Sequence, residues 1–310
     1  MPELPEVETV VRTLNKHVIG RTITAVWFDW PKLVKDPLKQ SRLVVSKKAV
    51  LDFRKNIIGK KIVRAERVAK NILIYLSSDA SGRAEADYVM LVHQKMSGHL
   101  LLGRWKLVKG APVALAPKEM VEDSMNGYIR LILYLENGEM IALSDLRRFA
   151  KVLFGPTKII KTLPELLTLG PDALDPKLKP VEFSRRVRSS GRAIKTVLLD
   201  PGKIAGIGNI YSDDALWHAQ ISPSKPANQL TDAEAKNLFL AVRRVLRKAV
   251  RLRGTTIGDF RDPYGQPGGY AKERVAYHRH GEACGRCGVL MVRQKIGGRS
   301  AHFCPKCQKL

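Results

Sequence analysis

Four cysteines, Cys284, Cys287, Cys304 and Cys307, all fall within the last 27 residues of the 310-residue chain. Their spacing is C-x2-C, sixteen residues, C-x2-C. Two such knuckles on a β-hairpin bring four thiolates to the corners of a tetrahedron. That is the closed geometry of structural zinc, with no position left open for water. No cysteine remains elsewhere for a disulfide framework, and two matched knuckles argue against a redox pair. One structural Zn2+ is therefore expected, in a finger over residues 271–310. Between the knuckles, VLMVRQKIGGRSAHF reads as two short strands about Gly297-Gly298, with Arg299 just past the turn. An arginine there is ordinarily a solvated surface residue. On a rigid hairpin of a basic protein it is also well placed to meet a phosphate.

The rest of the chain is basic as well. Lys plus Arg number 54 against 29 Asp plus Glu, a formal charge of +25. The excess is spread along the chain and not confined to a tail, so a folded basic surface and a large polyanionic partner are expected, with counterion release supplying affinity. An anionic membrane is the rival partner, but no run of about 18 apolar residues is present to span one. The N-terminus also lacks the basic-then-apolar pattern of a secretory signal, which points to a cytosolic location.

Hydrophobic periodicity divides the chain. After Pro5, Val7, Val10, Val11, Leu14 and Val18 recur at helical spacing until Gly20. From about residue 21 to 155, ITAVWF, RLVVS, NILIYL, YVMLVH, YIRLILYL and MIALS read as short strands, with ENGE at 136–139 a hairpin turn. A β-sandwich behind one helix, over residues 1–156, is the expected first domain. A Pro/Gly-rich stretch from FGPTK to LGPDALDPKLKP marks the boundary. A helical region over residues 157–270 follows, with candidates at SRRVRSSGRAIKTVLLD, NIYSDDALWHA and, N-capped by Thr231, TDAEAKNLFLAVRRVLRKAVRLRG. In the last, Leu238, Val242, Val245 and Ala249 are expected inside, and Arg243, Arg244, Arg247, Lys248 and Arg251 outside. The fold class is α+β.

MPELPEVETV at the start, AGIGNIYSDDALW in the middle and the cysteine-bearing C-terminus together resemble the formamidopyrimidine-DNA glycosylases, nearly end to end and in consistent order. PELPEVE resembles the oxidised-purine branch; the endonuclease VIII branch of the same superfamily typically carries PEGPE. The resemblance implies a β-sandwich, a helix-two-turn-helix module with a lesion-capping loop, and a zinc finger. It also implies damaged double-stranded DNA as partner, a monomer, and the bacterial cytosol or nucleoid as location. In such enzymes the Pro2 amine, freed by removal of the initiator Met, attacks C1′ of the damaged nucleotide and forms an iminium. A free α-amino group has a pKa near ~8 against ~10.4 for lysine, so it is partly neutral at pH 7.

By the same resemblance Glu3 is the acid that protonates the opening sugar, and Glu6 is a second carboxylate that holds the site together. Both also suit a helix N-terminus on electrostatic grounds. Lys70, in RVAKNIL, matches a lysine that contacts phosphate beside the lesion. Asn209 opens the helix after AGIG, where backbone N–H groups favour phosphate, and with Arg299 it completes the grip. Met96 of KMSG, and Arg147 and Phe149 of DLRRFA, match the side chains that fill the gap left by an extruded base. Arg147 has the donors to bond the orphaned base, expected to be cytosine. The loop departs from the family pattern at Leu146 and Ala150, and HQKMSG departs at Gln94 and Lys95. Asp214 stands where glutamate is usual. TTIGDFRDPYGQPGGY resembles the loop that closes over a flipped 8-oxoguanine. His17, His99 and His218 read as structural or solvent-facing. An oxidised-pyrimidine glycosylase and a non-catalytic zinc-dependent DNA-binding protein are the alternatives. A metal nuclease is disfavoured, since no open carboxylate/His site is visible.

Overall fold

The computed structural model describes residues 2–35, 37, 47–79 and 86–310. The segment RLVVS, expected to be a strand, lies outside them. Contacts divide the chain into one compact unit of residues 1–167 with 253–268, and another of 168–252 with 269–310. The segment 253–268, grouped in sequence with the helical region, thus packs within the first unit.

That unit opens with α1 (Leu4–His17) and runs through β1 (Ile23–Phe28), β2 (Val34–Lys35), α2 (Lys47–Ile57), β3 (Lys61–Val68), β4 (Asn71–Ser77) and β5 (Tyr88–His93). It continues with β6 (Gly98–Val108), β7 (Ala111–Ala116), α3 (Lys118–Glu122), β8 (Ile129–Leu135), β9 (Met140–Asp145) and β10 (Lys151–Pro156), then the short α4 (Thr157–Lys161) and α5 (Pro164–Leu167). Among the described residues two five-stranded sheets form, in the orders β1-β8-β9-β6-β7 and β2-β10-β5-β4-β3. One core takes Val7, Val10 and Leu14 of α1, Ile72, Ile74 and Val92 of one sheet, and Leu100, Leu133 and Leu143 of the other. The outer faces are covered too. Leu73, Tyr75 and Leu91 pack with Ile160 and Leu163, and Leu101 and Ile132 pack with Met120. This double coverage explains why NILIYL and YVMLVH are continuous apolar runs: β4 is buried at every position. At the β8–β9 turn, Gly138 at φ +80° allows the chain to reverse.

The second unit holds α6 (Pro180–Arg188), α7 (Ile194–Leu198), α8 (Asn209–Ala219), α9 (Asp232–Arg251) and the hairpin β11 (Val292–Ile296) and β12 (Arg299–Phe303). α8 coincides with NIYSDDALWHA. α9 starts at a reciprocal cap, in which Glu234 N–H donates to Thr231 Oγ1 (3.2 Å) and Thr231 N–H to Glu234 Oε2 (2.8 Å). Two expectations need correction. The stretch 184–200 is not one helix but two, because Ser-Ser-Gly at 189–191 breaks it and Ala193 turns extended before α7. Arg243 does not face solvent. It is buried, and its guanidinium donates to the carbonyls of Leu174, Asp175 and Leu178, fastening the irregular 174–178 chain to α9. Among the described residues no helix is long and apolar enough to cross a membrane.

Candidate active site and metal centre

Pro2, Glu3 and Glu6 share the start of α1, and all three are buried. Pro5 falls in the first turn, where a missing N–H costs the helix nothing. Glu6 divides its carboxylate between two tasks. Its Oε2 accepts the N–H of Glu3 (2.7 Å), and its Oε1 accepts the N–H of Thr255 (2.6 Å), 249 residues away. Gly254, at φ +80°, allows that approach: a Cβ there would lie 2.6 Å from Glu6 Oε1. One buried carboxylate therefore caps α1 and anchors the segment 253–268. Within that segment, Thr256 Oγ1 donates to Phe260 O (2.7 Å) and accepts from Gly268 N–H (2.9 Å), while Asp262 accepts the N–H groups of Tyr264 and Gln266.

Lys70 lies half-buried in the two-residue turn between β3 and β4, after Ala69 at φ +56°. Met96 and Phe149 are 43% and 49% exposed, although both are large and apolar. Arg147 joins them, with Nη1 3.6 Å from Met96 Sδ and its guanidinium 4.7 Å from the Phe149 ring centre. The scaffold beneath is tightly bonded. Buried Asp145 accepts Ser97 Oγ–H (2.6 Å) and Arg147 N–H (3.2 Å) on one oxygen, and Ala150 N–H (2.7 Å) on the other. Gly98 is required there, since a Cβ would meet Gln94 O at 2.5 Å and the Ala150 methyl at 3.1 Å. Ala150, a departure from the family pattern, has its methyl in the apolar core. His99 is fully buried and driven down to about 4 by that burial, so it is a neutral structural residue.

In the second unit, Asn209 is the first residue of α8 and Arg299 the exposed first residue of β12. Sequence reasoning missed what orders them. Lys195, fully buried on α7, donates to Asn209 O (3.0 Å), Ser212 Oγ (2.9 Å) and Asp213 Oδ1 (2.6 Å). Asp213 Oδ2 accepts His302 N–H (3.0 Å) and lies 3.0 Å from His302 Nδ1. A paired ammonium and carboxylate with hydrogen bonds on both sides is the form in which charge survives burial. The available signal was charge inside apolar runs, AIKTVLL and SDDALW.

Asp214 is a structural residue. Its Oδ2 accepts the Tyr270 hydroxyl (2.8 Å), and its Oδ1 accepts the N–H groups of Ala276 (2.9 Å) and Tyr277 (3.1 Å). Burial raises its pKa to about 6 from 3.8, against the pull of those donors. A carboxyl raised in this way holds its proton more tightly folded than unfolded. Its contribution is therefore present below about pH 4 and lost as pH climbs through about 6. Asp214→Asn is expected to remove that dependence. The difference in unfolding free energy between wild type and variant, from urea titrations, should change by about 2–3 kcal/mol between pH 4 and pH 7. A constant difference would refute the assignment.

The four cysteine sulfurs all lie within 4.8 Å of one another. Zn–S bonds of about 2.3 Å at tetrahedral angles put sulfurs roughly 3.8 Å apart, so the donor set fits zinc. Burial opposes ionisation of Cys284, yet the N–H groups of Arg286 and Cys287 and the Trp217 indole draw it down to about 6. The indole Nε1 donates to Cys284 Sγ at 3.4 Å. Burial, with the Cys287 and Cys304 sulfurs crowded against it, pushes Cys307 up to about 12. A bound cation would relieve that crowding.

A two-sheet unit, a helix-turn module capped at Gly208–Asn209 and a four-cysteine hairpin define the class of helix-two-turn-helix zinc-finger proteins. Family profiles agree along the chain: Formamidopyrimidine-DNA glycosylase N-terminal domain over residues 1–152, Formamidopyrimidine-DNA glycosylase H2TH domain over 169–261, and the zinc finger found in FPG and IleRS over 281–310. The formamidopyrimidine-DNA glycosylase of Pelotomaculum thermopropionicum is 34% identical over 310 residues, covering 100% of both chains. The crystal structure of MutM (Fpg) from Thermus thermophilus is 33% identical, with a TM-score of 0.76, over 99% of this chain and 98% of that one. The Lactococcus lactis Fpg, solved in complex with DNA containing an abasic site, is 28% identical with a TM-score of 0.80 over the full length of both. The chain belongs to the formamidopyrimidine-DNA glycosylase family.

Proposed function

We propose that the protein excises oxidised purines such as 8-oxoguanine and formamidopyrimidines from duplex DNA and then cleaves the strand by β,δ-elimination. The observation that carries this reading is the exposed group of Met96, Arg147 and Phe149 over a scaffold tied together by buried Asp145. A fold gains nothing by exposing two large apolar side chains, whereas an enzyme that extrudes a base needs a wedge for the gap. Phe149 unstacks the base step, Met96 fills the void and Arg147 bonds the orphaned base.

The Pro2 nitrogen attacks C1′ of the extruded nucleotide, and the bond to the base breaks with its electron pair. Glu3 protonates the ring oxygen as the sugar opens, leaving an iminium between Pro2 and C1′. This permanent cation acidifies the C2′ hydrogen, so removal of that proton expels the 3′ phosphate. A second elimination expels the 5′ phosphate, and addition of water to the iminium carbon then breaks its bond to nitrogen and releases Pro2. Glu6 positions the nucleophile through the start of α1. Lys70, Asn209 and Arg299 hold backbone phosphates, each as a charged or amide donor. One zinc ion, held by Cys284, Cys287, Cys304 and Cys307, would stiffen the hairpin that carries Arg299 and take no part in the chemistry.

Borohydride trapping on a duplex with 8-oxoguanine opposite cytosine tests this reading, with the N-terminus checked by mass spectrometry. A covalent adduct mapped to Pro2 is expected. Adduct only with an oxidised pyrimidine would reassign the lesion class. Tight binding without any adduct, even on an abasic duplex, would mark a binder without chemistry.

A further inference from the structure

One end of the β2-β10-β5-β4-β3 sheet concentrates positive charge that the proposed mechanism leaves largely unused. Lys35 ends β2, Lys151 begins β10, Lys95 lies two residues past the end of β5, and Lys70 sits in the β3–β4 turn. The ladder sets Lys151 opposite His93, two residues before Lys95, and Lys35 opposite Leu153, two residues along β10 from Lys151. The Lys151 side chain is only 12% exposed. Lys95 N–H donates to His93 Nδ1 (3.0 Å), which places the imidazole proton on Nε2. Lys95 also adopts φ +55°, a backbone conformation that glycine tolerates and lysine does not favour.

These cations disturb one another. Burial and then Lys151 lower the pKa of both Lys35 and Lys95. Burial and then Lys95, Lys151 and Lys70 drive His93 down to about 3, so it is a neutral donor. Gathering ammonium groups in this way is unfavourable unless an anion is shared among them. Among the described residues, a carboxylate from a different element answers them: Glu165 of α5 pairs with Lys151 Nζ, and its charge reaches Lys35 and Lys95.

We infer that Lys35, Lys95 and Lys151 form a phosphate-binding site, and that Glu165 is an internal stand-in which an incoming phosphate group displaces. The inference rests on the DNA-binding reading above for its occupant, a backbone phosphodiester. Free inorganic phosphate offers the same chemistry.

Three proteins decide it: wild type, Glu165→Gln, and Lys35→Ala combined with Lys95→Gly. Glycine suits φ +55°, so the double variant removes charge without straining the turn. Affinity for a duplex with an abasic analogue would be measured across salt, and melting temperature with added inorganic phosphate at constant ionic strength. E165Q is expected to bind the duplex about three- to tenfold more tightly at low salt, because a competing charge is gone. The double variant should bind more weakly, with a log–log salt slope smaller by about 0.9, the value for one phosphate contact. Phosphate-dependent stabilisation, stronger in E165Q and absent in the double variant, with an unchanged salt slope would identify free phosphate as the occupant. If the wild type binds no duplex yet shows that stabilisation, the DNA reading fails and the phosphate site stands. If E165Q binds no tighter and the double variant matches wild type in both measurements, the site does not exist.

Discussion

A protein whose Pro2 nitrogen is blocked, by acetylation or by an uncleaved Met1, is expected to give no borohydride-trapped adduct and no strand cleavage. An amide nitrogen shares its lone pair with a carbonyl and cannot attack C1′. Deleting the nucleophile of a covalent catalyst costs on the order of a thousandfold or more in rate, or about 4 kcal/mol of transition-state stabilisation. Pro2→Gly is a graded version. It keeps a primary amine, but the resulting imine can lose its proton and its charge, so the elimination steps should slow by roughly a hundredfold. Affinity for uncleavable duplex should change little in either case, because the side chains proposed to hold the DNA, Lys70, Arg147 and Arg299 among them, are untouched. Single-turnover cleavage and trapping by the blocked protein at wild-type rates would place the nucleophile elsewhere.

Removing the metal is the second large perturbation. Structural zinc contributes about 10–16 kcal/mol to the folding of small fingers, so the 284–307 segment should not hold its shape without it. Cys284→Ser, or chelation of the wild type, is expected to weaken duplex binding at least about a hundredfold, some 2.7 kcal/mol. Trp217 gives an internal reporter, since its indole bonds Cys284 Sγ, and its emission should shift as metal leaves. The first unit's two-sheet core shares no residue with the cysteine hairpin and should keep its circular dichroism. Undiminished DNA affinity in metal-free protein would separate the finger from binding.

Local signals proved the most legible. The C-x2-C spacing, the Thr231 cap and the run of NIYSDDALWHA each lie within a few residues, and the structure places them as read. The loop residues Met96, Arg147 and Phe149 could be named from sequence, but their meeting depends on Asp145 bonding across to Ser97, 48 residues away. The joint role of Glu6 was hidden for the same reason, since its second partner is Thr255. Lys195, Asp213 and Arg243 were hidden differently. Charged side chains are ordinarily placed outside, and only their partners, scattered through the second unit, make burial tolerable. In the sheets, hydrophobicity located β1, β4, β5, β8 and β9, whereas β2, β3, β6, β7 and β10 went unread; in β6 and β7, Gly98, Gly103 and exposed positions dilute the pattern.

The Lys195–Asp213–His302 chain also bears on how this protein can be taken apart. Profiles divide its second half into a helical module and a finger, as if each were an exchangeable cassette. Yet a carboxylate of α8 accepts from both α7 and β12. A foreign finger grafted in without a matching donor would strand Asp213 with half its partners, at a cost of several kcal/mol. Recombination and chimera design therefore face a linkage group of three residues, to be inherited or replaced together.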